Sequence, residues 1–231
     1  MKKSHIAALI VFLLLIPATV FAGMQLPGRS YYITGMLIIL EMMVPFFMAF
    51  EGRRIQAREL VVLAVLCALA IAGRVVIPVP YMKATFAIII ITGIAFGAEA
   101  GFMVGAVTAF VSNFYYGHGP FTPWQMFAYG AAGLLAAFCF RKGSPKAWVM
   151  AIFGFAAVLV VVGPILDLSG ITFLLASLSW KALLTLLTSG LAVNLIQAGF
   201  TAVLLLLLGR PLLDMLERIK RKYGMLGSDT E

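Results

Sequence analysis

The stretch SNFYYGHGPFTPWQM, residues 112–126, holds most of the side chains in this sequence that could do chemistry. It sets His118 and Asn113 among five aromatics, between segments that are almost wholly aliphatic. A histidine there could act as a general base or a metal ligand. Each role needs a second group at a supporting spacing, a carboxylate or another ligand, and none stands near His118. Asn113 falls about one turn inside an apolar run, where an amide must find a partner. Tyr115, Tyr116 and Trp124 have the composition of an aromatic belt at a membrane–water boundary. Gly117, Gly119 and Pro120 break a helix. The series Thr122-Pro123-Trp124-Gln125 then has the form of a capping box: Thr as N-cap, Pro at the first helical position, Gln three residues beyond the cap.

Other polar residues stand inside apolar runs, where they are costly in lipid and tend to face a bundle interior or a cavity: Glu41, Arg74, Asp167 and Asn194. Arg74 and Asp167 are expected toward the same end of the bundle, where they could form an ion pair or hold a ligand. Cys67 and Cys139 lack CxxC or metal-ligand spacing and read as small buried hydrophobes. The sequence has no GxxxxGK[ST] phosphate loop and no GxSxG or HExxH set. It also lacks the chain of intramembrane carboxylates or histidines that a proton-coupled carrier uses. An enzyme working with His118 and Asp167, and a small-solute facilitator acting alone, remain as alternative readings.

The elements that must position these groups follow from composition. Of 231 residues, 63% are hydrophobic and 11% charged, far below the charged fraction of about 25% in soluble domains. Apolar runs of about 20 residues recur, long enough to span, whereas a β-barrel would show short alternating segments. The fold class expected is an all-α polytopic membrane protein. A net charge of +8 would suit nucleic acid, but the basic residues sit in short loops beside apolar runs, as the positive-inside rule describes.

Spans are expected at residues 6–22, 31–50, 60–77, 85–97, 101–116, 124–140, 148–166 and 187–208. As one helix, residues 84–116 would reach about 50 Å, too long for one crossing, so a turn is expected at GAEAG. Residues 1–50 form two N-terminal spans, the first resembling a signal peptide with Val20-Phe21-Ala22 as a cleavage-like site. Residues 51–59 form a basic cytoplasmic loop, 60–209 a six-helix core, and 210–231 a cytoplasmic amphipathic tail begun at Pro211. Residues 170–181 read as an outer loop or interfacial helix. This path places Lys2, Lys3, Arg53, Arg54, Arg58, Arg141, Lys142, Lys146, Arg210, Arg218, Lys220, Arg221 and Lys222 inside. Only Arg29, Arg74, Lys83 and Lys181 fall toward the outside.

Small residues recur at four-residue spacing: Ala64, Ala68 and Ala72; Gly93, Gly97, Gly101 and Gly105; Ala128, Ala132 and Ala136. Such a stripe lets helix backbones approach closely in lipid, within one bundle or against a partner.

The segments ARELVVLAVLCALAIAGR, IIIITGIAFGAEAGFMVGAVTAFVSNFYYGHGPFTPWQM and ERIKRKYG resemble the substrate-specific (S) components of energy-coupling factor (ECF) transporters, most of all the cobalamin type. The resemblance covers residues 57–224, the six-helix S-component core, and leaves the first two spans as an addition. It implies a bacterial plasma-membrane subunit with both termini cytoplasmic, which captures a vitamin and topples in the membrane to release it. Cobalamin or a related corrinoid comes first; riboflavin, thiamine, folate and queuosine-type ligands are alternatives. Its partners would be a transmembrane coupling (T) subunit and two ATPases, so ATP enters only through partners and no cofactor is permanently bound. The Ala64, Ala68 and Ala72 face matches the family's Ala-x-x-x-Ala coupling surface. By region, the resemblance places the ligand site at Tyr81, Lys83, Asn113, Tyr115, Tyr116, His118, Phe121, Trp124, Gln125, Asp167 and Asn194.

Overall fold

The computed structural model describes residues 10–25, 30–51, 56–141, 143, 145–170 and 180–224. Every regular element among them is helical. The expectations resting on Lys2, Lys3, Arg29, Arg53, Arg54, Lys142 and residues 171–179 lie outside the described residues, as do residues 225–231 of the tail.

Two helices precede the core: α1 (Ile16–Gln25), entered through a π-turn at Val11–Leu15, and α2 (Ser30–Glu51). Thr19 donates to Glu41 across this pair at 2.5 Å. The core comprises α3 (Ala57–Val75), α4 (Thr85–Phe96), α5 (Ala98–Tyr116) and α6 (Thr122–Cys139). It continues as α7 (Ala147–Ala157), α8 (Gly163–Ser169), α9 (Trp180–Leu204) and α10 (Arg210–Tyr223). The two N-terminal helices are attached through α2, whose Ile39 and Met43 pack with Phe102 and Ala106 of α5. Phe47 adds an edge-to-face contact to Phe102, ring centroids 6.5 Å apart.

The expected turn at GAEAG is a single residue. Gly97 ends α4 at φ 91°, a left-handed conformation that costs glycine little and other residues much, and α5 starts at the next residue. At about 1.5 Å per residue, α4 is only about 18 Å long. It is the central helix of the bundle: Phe86, Ile89, Ile90 and Ile91 are all buried, the all-round apolar pattern of a fully enclosed helix.

Two of the three small-residue stripes make this enclosure possible. A Cβ on Gly93 would overlap the Gly133 carbonyl, and one on Gly101 or Gly105 would meet the backbone of Gly133 or Tyr129. Ala128, Ala132 and Ala136, on the same helix α6, are wholly buried. Backbone-to-backbone contact replaces side-chain interdigitation here, as close helix packing in lipid requires. The third stripe differs. Ala64, Ala68 and Ala72 are all exposed on α3.

Each π-turn is followed two residues later by a proline. Val11–Leu15 precedes Pro17, Val158–Val162 precedes Pro164, and Leu205–Gly209 precedes Pro211. Proline lacks an N–H and its ring clashes with the carbonyl four residues earlier; a wider turn just before it relieves that clash. The helices therefore run through. α7 and α8 form one helix, Ala147–Ser169, and α10 continues α9 within the helix Leu184–Tyr223. Pro211 does not start a separate tail helix as the sequence suggested. Leu213 and Leu216 are buried, and Lys220 donates to the Ala95 carbonyl at 2.5 Å, so α10 caps the end of α4.

Among the described residues, those two helices combine the length and composition to cross a membrane; Thr85–Phe96 is apolar but shorter. The other core helices give up hydropathy for specific reasons. Arg58, Glu59 and Arg74 lie within α3, and α5 and α6 spend many positions on Gly, Ala, Ser and Thr. Composition therefore marks fewer crossings than the eight expected.

Candidate functional site

The polar groups gather at the end of the bundle where α3 and α5 finish. Gly117 (φ 94°) stops α5, its N–H bonded to the Asn113 carbonyl at 2.7 Å. The chain then returns within a few residues to α6, with the Thr122 N–H on the Gly119 carbonyl at 2.9 Å and the Gly119 N–H on Thr122 Oγ1 at 3.1 Å. This is not the capping box expected. Gln125 reaches Asn113 instead, accepting from its Nδ2 at 2.8 Å, and Thr122 Oγ1 accepts from the same amide at 3.3 Å.

Asn113 is thus the hub of the turn. Its Oδ1 accepts from Arg74 Nη1 at 3.0 Å. Arg74 also donates to Ser112 Oγ, whose own proton goes to the Thr108 carbonyl at 2.6 Å. The guanidinium lies over the Tyr116 ring at 4.9 Å and the Tyr129 ring at 5.3 Å. Tyr116 OH returns a hydrogen bond to the Arg74 carbonyl at 2.8 Å. The expected Arg74–Asp167 pair does not form. Arg74 instead reaches neutral hydroxyl, amide and aromatic groups on α5 and α6, which stabilise a buried cation by oriented dipoles and π faces.

Asp167 accepts from Asn194 Nδ2 at 2.7 Å, linking α8 to α9. Glycine makes the room on both sides. A Cβ at Gly190 would overlap the Asp167 carboxylate, and one at Gly163 would overlap the Asn194 amide. One turn along α9, Gln197 Nε2 donates to the Lys83 carbonyl at 2.9 Å. Lys83 Nζ donates to the Ile77 carbonyl at 2.9 Å, folding residues 77–83 into a closed loop. Tyr81, exposed at the tip of that loop, is a non-glycine residue at φ 63°, a conformation that is strained for most side chains. The Ala84 N–H to Gly73 carbonyl bond, 3.0 Å, returns the loop to α3 next to Arg74.

The remaining residues expected at the site divide. Tyr115 is exposed against Tyr116. His118 is exposed and packs on Phe110 and Phe114, with ring centroids 5.1 and 4.7 Å away. Phe121 is half-buried, its ring against Gly119. Trp124 packs onto the α2–α5 cluster, and its buried Nε1 has no hydrogen-bond partner among the described residues. Among the described residues, no group of three or more His, Cys, Asp or Glu side chains could hold a metal.

Ser112, Tyr129 and Gln197 belong to these networks and were not singled out from the sequence. Gln197 had a signal: it stands three residues from Asn194, on the same helix face. Ser112 and Tyr129 had none, because their role depends on where Arg74 lies.

Beside the exposed alanine face, a groove of about 190 Å³ runs between α3 and α5, lined by Leu60, Leu63, Ala64, Cys67, Met103 and Val104 among others. Leu60, Val61, Val65 and Leu69 are exposed along α3.

A family model described as "ECF transporter, substrate-specific component" matches residues 58–209, well over half of the chain and the whole stretch from α3 through α9. No curated protein and no solved structure matches it.

Proposed function

The chain belongs to the ECF transporter substrate-specific component family, and on that footing we propose that it captures a vitamin, cobalamin or a related corrinoid first, at the Arg74 end of the bundle. Family membership makes it a membrane protein and a substrate-binding transport subunit, not an enzyme. In the proposed reading the Arg74 end faces outward, and the captured vitamin is imported with a T subunit and two ATPases in the bacterial plasma membrane.

One observation supports the choice of this end. Side-chain hydrogen bonds fix three segments at this end in two networks: Gln197 and Asn194 of α9 hold the 77–83 loop and Asp167 of α8, and Asn113 holds the α5–α6 turn to Arg74 of α3. A large amphipathic ligand needs aromatic walls and a few fixed polar groups. Tyr81, Tyr115, Tyr116 and Phe121 supply the first, and Asp167 with Asn194 the second. No permanently bound cofactor enters this reading.

Docking of the T subunit is assigned to the Ala64, Ala68 and Ala72 face. It is exposed and small, whereas the other two stripes are consumed by internal packing.

The test is a binding screen of the purified chain by tryptophan fluorescence against cobalamin, riboflavin, thiamine, folate and a queuosine-type base. Saturable quenching by cobalamin supports the reading, and saturation by another vitamin alone replaces the ligand. A parallel uptake assay in cells tests the coupling. Uptake that persists unchanged without the ATPases overturns it in favour of a facilitator acting alone.

A further inference from the structure

The opposite end of the bundle holds a cavity that vitamin capture does not use. It has a volume of about 480 Å³ and lies where α4 passes into α5 and α6 ends. Its walls are of two kinds. Ile94, Phe96 and Phe138 form an apolar side, while Arg141 and Lys220 bring two cations to the rim. Among the described residues its lining contains no carboxylate; Glu99, next in sequence to the lining residue Ala98, has an interaction of its own.

The two cations are not equivalent. Lys220 Nζ is held by the Ala95 carbonyl at 2.5 Å and stands 5.7 Å from the Phe96 ring. It is a positioned charge, fixed by α10. Arg141 is exposed, just past the end of α6, and has no hydrogen bond or ion pair among the described residues. The cavity wall also includes Gly97 and Ala98, the N-terminal end of the 19-residue α5, where backbone N–H groups and the helix dipole favour negative charge. Phe138, on the apolar wall, is 53% exposed, so that wall continues onto the outer surface of the bundle.

From this arrangement we infer that the cavity binds an anionic phospholipid, its phosphate between Arg141, Lys220 and the start of α5, and its acyl chain along Phe138. Basic pockets between helices at a membrane boundary recognise anionic headgroups by this combination of charge and an apolar wall. A free phosphate would use only the cationic rim and leave the apolar wall idle. The inference depends on the membrane location that the family match establishes, and not on which vitamin binds at the Arg74 end.

Native mass spectrometry of the full chain in detergent tests it, with phosphatidylglycerol and phosphatidylcholine as probes. The expected result is preferential retention of phosphatidylglycerol, reduced about fivefold in Arg141→Gln, the effect of one basic residue near an anionic surface, and restored in Arg141→Lys. Because Arg141 is exposed and has no partner among the described residues, the variant should keep its melting temperature, which excludes misfolding as the cause. Equal retention of the two lipids overturns the inference, as does a preference that survives Arg141→Gln. Displacement of phosphatidylglycerol by inorganic phosphate as readily as by lipid assigns the site to free phosphate and overturns the lipid reading. Loss of T-subunit binding in Arg141→Gln, with lipid retention unchanged, would make the rim a protein contact and equally overturns it. Vitamin binding measured on the same samples separates this outcome from any failure at the other end.

Discussion

Arg74 and Asn113, on the neighbouring helices α3 and α5, share a 3.0 Å hydrogen bond through which an entire turn is organised. The Asn113 carboxamide accepts from the guanidinium with one end and donates to Thr122 and Gln125 with the other. It thereby fixes the start of α6 relative to the end of α3. A polar side chain inside an apolar bundle is tolerable because both its amide nitrogen and its oxygen have partners.

Replacing Asn113 by Ala should therefore cost more than the loss of one hydrogen bond. Arg74 and Gln125 would each lose a buried partner, at about 1–3 kcal/mol per unsatisfied group. The expected outcome is a clear fall in the melting temperature of the purified chain, with Asn113→Gln also destabilised because its longer side chain does not fit the same three contacts. A melting temperature equal to that of the wild type in Asn113→Ala would refute the hub role.

The glycine contacts between α4, α5 and α6 predict a contrast between two conservative changes. Gly133→Ala should destabilise by about 1–3 kcal/mol, as overpacking of a tight core does, because its Cβ would meet the Gly101 backbone. Gly199→Ala, where nothing lies within 4 Å of the added Cβ, should be neutral or stabilise by up to about 1 kcal/mol through helix propensity. Thermal unfolding of both variants in the same detergent is the check, and equal behaviour would count against the close backbone approach.

In the ligand reading, Asp167 and Asn194 anchor the vitamin. Asn194→Ala removes the 2.7 Å bond to the carboxylate and should weaken vitamin binding about tenfold or more, the scale of a hydrogen bond to a charged group. Tyr223→Phe, at the far end of the chain in α10, serves as the control with affinity unchanged. Titration of each variant with the vitamin identified by the screen decides between a site at this end and one elsewhere.

The exposed alanine face predicts a separation of functions. Ala68→Trp places a bulky side chain at a position exposed among the described residues, so folding and vitamin binding should persist. Co-purification with the T subunit should be lost. Intact co-purification would move the docking surface to another helix.

Much of this architecture was readable from local pattern. The helix predicted at residues 85–97 is Thr85–Phe96, and the one at 124–140 is Thr122–Cys139, because Gly97, Gly117 and Pro123 mark helix ends by backbone constraint alone. The four-residue spacing of small side chains was equally visible. What it could not show was which stripe would face inward: Gly93, Gly101 and Gly105 pack on Gly133 and Tyr129 of α6 and the Ala128–Ala136 stripe is buried, whereas the Ala64–Ala72 stripe stays exposed. The capping reading of Thr122 and Gln125 failed because Asn113, 9 and 12 residues away, competes for the same side chains and is supplied by another helix.

By itself, the sequence determined that the chain would be helical and apolar, where most helices stop, and that α3, α5 and α6 could approach closely. Those properties depend on residue type, on the 3.6-residue period and on allowed dihedrals, all of which act over a few residues. The partners of its buried polar groups were decided only by the tertiary structure. Arg74 could have met Asp167 as a charge pair. It meets Ser112, Asn113, Tyr116 and Tyr129 instead, because glycine contacts draw α5 and α6 together next to α3, whereas Asp167 is held by Asn194 in a space that Gly163 and Gly190 leave open. Hydrogen bonds and ion pairs are short-range and directional, so helix packing selects which of several plausible partners is within reach.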